Sequence, residues 1–200
     1  MLLFLDWFGT AVFAITGALV AREKRMDLFG VVVVALVTAL GGGTIRDLIL
    51  QREIFWVVDE IYIWIGILAA ILTFVVAHLN LLPRRPLLIA DAFGLSVFTV
   101  IGVQTGLASG VTPLIAVIMG VMTATFGGMI RDLLSNRIPL ILHSELYATA
   151  ALCGATVYVL LANASPEWRM LIAATVTLGL RLAAIRWNWS LPVTLAPANV

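Results

Sequence analysis

The chain has 200 residues, a formal net charge of +1, 62% apolar residues and only 12% charged ones. That is more apolar surface than a soluble core of this size can hide, so lipid must be the solvent for much of it and the chain reads as an integral membrane protein. No block of like charges and no basic stripe with interleaved aromatics occurs, which sets nucleic acid aside as a partner.

A spanning helix needs about 20 mostly apolar residues, and the chain contains seven runs on that scale. Span 1 covers 3–21 and carries Asp6; its opening, MLLFLDWFG, lacks a basic leader region and a cleavage site, so it reads as part of the mature helix. The loop REKRMD leads to span 2, 28–50, which ends in GGGTIRDLIL. QREIFWVVDE, 51–60, is amphipathic enough to lie at the outer surface or to cap a pathway. Span 3 (61–79), the loop LLPRRP (81–86), span 4 (87–106), the loop ASGVTP (108–113) and span 5 (112–134) follow. Span 6 (145–162), the loop NASPE (163–167), span 7 (168–185) and an unstructured, proline-interrupted tail complete the chain. The lone cysteine, Cys153, sits inside an apolar run and is assigned to packing.

Lysine and arginine placement sets the orientation. With the N-terminus outside, the cytoplasmic side receives Arg22, Lys24, Arg25, Arg84, Arg85, Arg131, Arg137, Arg181 and Arg186, and the outside only Arg46, Arg52 and Arg169. The reading is N-terminus out and C-terminus in.

Set against itself at an offset of 85 residues, the chain repeats. Asp6, Phe8, Gly9, Val12, Phe13 and Gly17 recur as Asp91, Phe93, Gly94, Val97, Phe98 and Gly102. Thr38, Ala39, Gly42, Gly43, Ile45, Arg46, Asp47 and Leu48 recur as Thr123, Ala124, Gly127, Gly128, Ile130, Arg131, Asp132 and Leu133. With Val32/Val117, Arg52/Arg137, Glu60/Glu145 and Tyr62/Tyr147 there are 18 identities over the 57 positions 6–62. Each copy holds three spans, an odd number, so the second must start on the opposite face of the membrane and the repeats are inverted. The expected fold is an all-α polytopic membrane protein: repeat 1 (1–80), inverted repeat 2 (81–165), a seventh span (166–186) and a cytoplasmic tail (187–200).

Inverted repeats with glycine-rich helices at equivalent places point to a solute pathway at their interface. A helix starting at Leu28 reaches Gly41 after about 20 Å, inside a hydrocarbon core of about 30 Å. A break at Gly41, Gly42 and Gly43, mirrored at Gly127 and Gly128, would turn carbonyl ends toward the midplane and favour a cation. The alternative use of these glycines is close helix packing. Thr38 and Thr123, one turn earlier, could offer hydroxyls to an ion or bond a carbonyl of their own helix.

Ionised groups at this depth need partners or water. By depth, the expected pairs are Asp6–Arg46 near one mouth and Asp91–Arg131 near the other, leaving Asp47 and Asp132 to raise the local cation concentration at the entrances. The arginines could instead act as gates, or all six charges could serve structure alone. His78 and His143 lack ligand spacing and read as interfacial, and no metal site is expected beyond a transient monovalent cation. Trp7, Trp56, Trp64, Trp168, Trp187 and Trp189 cluster near span ends, as interfacial anchors do. No hydrolase, ATPase or zinc-enzyme motif occurs and no cofactor is expected, so the chain is not read as an enzyme.

The doubled GGGTIRD and FGGMIRD, the Asp-x-Phe-Gly openings at Asp6 and Asp91 and the 3+3+1 spans resemble the prokaryotic trimeric intracellular cation (TRIC) channels, also labelled UPF0126 or "glycine transporter". The resemblance implies a homotrimer in the prokaryotic inner membrane with a pore in each subunit, built by spans 1, 2, 4 and 5 and kinked at Gly41–Gly43 and Gly127–Gly128. It implies a potassium-permeable, weakly selective channel that also admits sodium, in contact with membrane lipids. The Lys-Glu-Val pattern of the animal relatives is absent beside both glycine clusters. A secondary transporter of a small solute such as glycine is the alternative, since inverted repeats also build carriers.

Overall fold

The computed structural model describes residues 2–78, 86–142 and 146–190. Arg84, Arg85, His143, Glu145 and the tail beyond Ser190 lie outside the described residues, as does the side chain of His78. Among the described residues the fold is all-helical: α1 (Leu2–Glu23), α2 (Leu28–Ile49), α3 (Phe55–Val58), α4 (Ile61–His78), α5 (Pro86–Ala108), α6 (Pro113–Leu134), α7 (Ala148–Leu160) and α8 (Pro166–Trp187), with a 3-10 turn at Leu140–Leu142.

Five helices, α1, α2, α5, α6 and α8, are long and apolar enough to cross a membrane. The other two apolar helices are shorter: α4 over Ile61–Val76, and α7 with 13 residues. At 1.5 Å per residue α7 rises only about 20 Å, so the span expected over 145–162 is a shorter helix preceded by the 3-10 turn. Local chemistry marks the ends. Asp27 caps α2 by accepting from the Gly30 amide at 2.8 Å, and Pro113 and Pro166 open α6 and α8, where a missing amide costs nothing. The turns after α2 and α6 match: Gln51 and Asn136 adopt φ of 52° and 49°, and Arg52 and Arg137 donate back to the carbonyls of Asp47 and Asp132.

The glycines do not interrupt their helices, contrary to the expected break. α2 runs unbroken through Gly41–Gly43 and α6 through Gly127–Gly128. In lipid, freed carbonyls have no water to turn to, so the backbone keeps its bonds. The missing Cβ atoms serve contact instead: a Cβ at Gly42 would overlap the carbonyl oxygen of Thr123, and one at Gly127 that of Thr38. The numbering rises along α2 as it falls along α6, so the two helices cross antiparallel and their C-terminal ends lie at opposite ends of the molecule. A second matched pair joins α1 to α2 and α5 to α6: a Cβ at Gly17 would stand 2.6 Å from Ala35 Cα, and one at Gly102 2.8 Å from Gly120 Cα.

One apolar core, with Phe13, Val34, Leu95 and Phe98, lies among α1, α2 and α5. A second, with Val103, Ala116, Tyr158 and Ala173, seats α7 and α8 against α5 and α6. Large apolar side chains such as Phe29, Leu72 and Leu160 are exposed on the outside, as a lipid-facing surface requires. Cys153 is among the exposed residues and is not a packing residue, which corrects its assignment.

Candidate functional site

At the Arg46 end, the last turn of α2 delivers Arg46 and Asp47 side by side. Arg46 Nε donates to Asp47 Oδ1 at 2.8 Å, and Arg46 Nη2 reaches the same oxygen at 2.8 Å. The second carboxylate oxygen of Asp47 accepts the Phe55 amide at 3.1 Å, which fastens the return segment and α3 beneath the helix end. Phe55 then covers Gly43 and places its ring 5.8 Å from the Arg46 guanidinium. The expected Asp6–Arg46 pair is not among the ion pairs of the described residues: Asp6 Oδ2 accepts the Tyr62 hydroxyl at 2.8 Å. An open cleft of about 520 Å³ reaches all of these groups, lined by Asp6, Arg46, Asp47, Arg52, Glu53, Phe55, Asp59, Tyr62 and Thr105.

The Arg131 end repeats the motif and closes it. Arg131 Nε and Nη2 grip Asp132 at 2.8 and 3.2 Å, and Leu140, at the start of the 3-10 turn, donates its amide to Asp132 Oδ2 at 3.1 Å as Phe55 does to Asp47. Here the expected Asp91–Arg131 pair does form, at 2.9 Å, and Thr16 Oγ1 accepts from the same guanidinium nitrogen at 3.0 Å. Arg131 and Asp91 are both 0% exposed, whereas Arg46 is 6% exposed. The hollow at this end, about 510 Å³, reaches Asp132 and Arg137 and is not lined by Asp91 or Arg131. Outside it an ion pair, Arg137–Glu23 at 2.6 Å, ties the loop after α6 to the end of α1. The corresponding tie at the Arg46 end is a hydrogen bond to an uncharged partner, Arg52 Nη1 donating to Ser109 Oγ at 3.2 Å.

Asp47 and Asp132 are therefore neutralised by their neighbouring arginines, not left to charge the entrances as expected. A carboxylate at a helix C-terminus faces the negative end of the helix dipole and needs donors, which Arg46, Arg131 and the two loop amides supply. Thr38 and Thr123 donate to the carbonyls of Val34 and Met119, each at 2.6 Å, so their hydroxyls are committed to their own helices. Three partners carry no role in the sequence reading: Tyr62, Tyr147 and Thr16. Tyr62 and Tyr147 were signalled by their repetition. Thr16 was not, because Ile101 stands at its counterpart. Arg181, taken as a cytoplasmic orienting charge, is fully buried with its guanidinium 5.0 Å from the centre of the Tyr147 ring.

The family model described as glycine transporter matches this chain twice, over residues 3–78 and 88–163. The UPF0126 inner membrane protein YadS of Escherichia coli K12 is 46% identical over 201 residues, covering 98% of this chain and 97% of its own. The solved TRIC trimeric intracellular cation channel orthologue from Rhodobacter sphaeroides is 44% identical with a TM-score of 0.89, over 94% of this chain and 98% of that one. A prokaryotic TRIC channel solved in 0.5 M KCl is 30% identical with a TM-score of 0.88, over 95% and 98% of the two chains.

Proposed function

We propose a function from one premise: the chain belongs to the glycine transporter family, and its structural neighbours are prokaryotic TRIC channels. The proposed function is passive conduction of monovalent cations, potassium and sodium, across a prokaryotic inner membrane. The proposed assembly is a homotrimer embedded in lipid with one pathway in each subunit. Two inverted three-helix repeats, over 1–80 and 81–165, with α8 as the appended seventh helix, are the architecture we assign to it. The family model's two matches and the antiparallel α2–α6 crossing support that architecture.

One observation carries the reading: the repeat-related groups sit at opposite ends of the α2–α6 crossing, Asp6, Arg46 and Asp47 on an open cleft and the Asp91–Arg131 pair fully buried. Asp6 faces the open cleft and supplies the negative field that draws cations in. Gly41–Gly43, Gly127–Gly128, Thr38 and Thr123 form the waist at which α2 and α6 must part for an ion to pass. Arg131, held by Asp91 and Asp132, plugs the far end. The orientation we assign puts the Arg46 end outside and both Arg131 and the C-terminus toward the cytoplasm, as the positive-inside bias favours.

The test is purified protein in a planar bilayer under a KCl gradient. Unitary currents reversing toward the potassium equilibrium potential are expected. A carrier of a small zwitterion such as glycine is the second reading, favoured by a cleft that offers both Arg46 and Asp6 while the far end is shut. A silent bilayer together with saturable glycine uptake into liposomes replaces the channel reading with that one.

A further inference from the structure

We infer that Arg181 of α8 is a positioning residue for gating: through the ring of Tyr147 it holds the Arg131 cluster shut, so the helix outside the repeats decides which end is closed. The inference rests on reading that cluster as the closed end of the cation path.

Three observations carry it. First, the groups are contiguous. The buried Arg181 guanidinium lies 5.0 Å from the Tyr147 ring centre, and the Tyr147 hydroxyl meets the cluster at Gly128. A Cβ built there would stand 3.3 Å from Tyr147 Oη, 3.5 Å from Arg131 Nη2 and 3.6 Å from Asp91 Oδ1. A cation on an aromatic face gains strength where water is excluded, and it fixes the ring in one place.

Second, the other end is a natural control. Tyr62 is the repeat counterpart of Tyr147, and its hydroxyl donates to the carboxylate of Asp6, the counterpart of Asp91. Its ring packs edge-on against Phe55, with centroids 4.7 Å apart, and that end is open. The same tyrosine, aspartate and arginine therefore stand at both ends, and the arginine of α8 is present only at the closed one.

Third, α8 is coupled to the helix that Tyr147 caps. A Cβ at Gly154 of α7 would overlap Thr177 Oγ1 and stand 2.9 Å from the Ala173 carbonyl of α8. A shift of α8 thus carries α7, and Tyr147 with it.

The test compares the full-length chain with Arg181→Gln, Arg181→Lys and Tyr147→Leu in planar bilayers in symmetric KCl. In parallel, a cysteine at position 16, introduced by Thr16→Cys in a Cys153→Ala background, is titrated with a water-soluble maleimide. Thr16 lies in the cluster, so its labelling reports closure without any current. Arg181→Gln should raise open probability about tenfold at unchanged unitary conductance and speed labelling about tenfold, as the loss of one such contact shifts a two-state equilibrium. Tyr147→Leu should do the same. Arg181→Lys should behave as the parent, because an ammonium also sits on an aromatic face. Parental open probability and labelling in Arg181→Gln, or an Arg181→Lys as open as the glutamine variant, overturns the inference. If Arg181→Gln does not fold, the lysine and leucine variants decide it by the same criteria. Silent bilayers for every chain together with faster labelling in the variants would sink the channel reading and leave the control of closure standing.

Discussion

Arg46 and Arg131 occupy the same place in the two repeats, yet their surroundings give them different energetic weight. Arg131 satisfies two carboxylates and a threonine hydroxyl with no exposure, whereas Arg46 holds one carboxylate at the wall of an open cleft. Removing one member of a buried ion pair leaves uncompensated charge and costs about 3–5 kcal/mol. Arg131→Met should therefore lower the midpoint of thermal unfolding in detergent more than Arg46→Met, because it strands two buried carboxylates, Asp91 and Asp132, where Arg46→Met strands only Asp47. Equal losses in the two variants would mean that the second carboxylate, Asp91, adds nothing to the weight of Arg131. The sequence revealed the depth of these charges and not their pairing, because neighbours on a regular helix do not face each other. At the last turn, with no following coil to obstruct them, Arg46 and Asp47 curl together. Asp6 is left to Tyr62, a residue the repeat had marked without assigning it a role.

Among the elements, the five long spans were legible because an apolar run of about 20 residues matches the thickness of a bilayer core and exceeds what a soluble helix buries. The amphipathic 51–60 likewise foreshadowed α3. The short α7 was not legible, since apolarity of a stretch does not say where the helix starts. The expected break at the glycines does not occur, and the sequence could not decide it because a missing side chain serves equally to free a backbone or to let another approach it. The structure assigns the second role, and the roles differ along the cluster. A Cβ at Gly42 or Gly127 would strike carbonyl backbone of the opposite helix, while one at Gly41 would meet the Cδ1 tip of Ile130 at 3.1 Å. Overpacking of this kind costs roughly 1–3 kcal/mol where the neighbour cannot yield. Gly42→Ala and Gly127→Ala should thus each depress thermal stability by that order, while Gly41→Ala stays near the parent because a side-chain tip can turn aside. A Gly41→Ala as damaging as Gly42→Ala would show that the crossing is not set by the Gly42 and Gly127 contacts.

Across the whole molecule, near-identical parts at the two ends have been given unequal access to water. The open cleft exposes Asp6, whose field acts on ions in solution, while the corresponding Asp91 is locked to Arg131 and fully buried. Field effects and contact effects separate by their response to salt. The Debye length is about 10 Å at 0.1 M salt and 3 Å at 1 M, so a carboxylate that concentrates cations at a mouth loses its influence as salt rises. Asp6→Asn should therefore roughly halve the unitary potassium current at about 0.05 M KCl and leave it unchanged at about 1 M. Raising salt only on the compartment facing the Arg46 end should abolish the difference, whereas raising it on the other side should not. Asp91→Asn should behave differently, altering how often the path opens or how stable the protein is, with an effect that does not fade in 1 M salt because the group meets no screening ions. A salt-independent deficit in Asp6→Asn would remove Asp6 from the entrance field and leave it the structural role of receiving the Tyr62 hydroxyl.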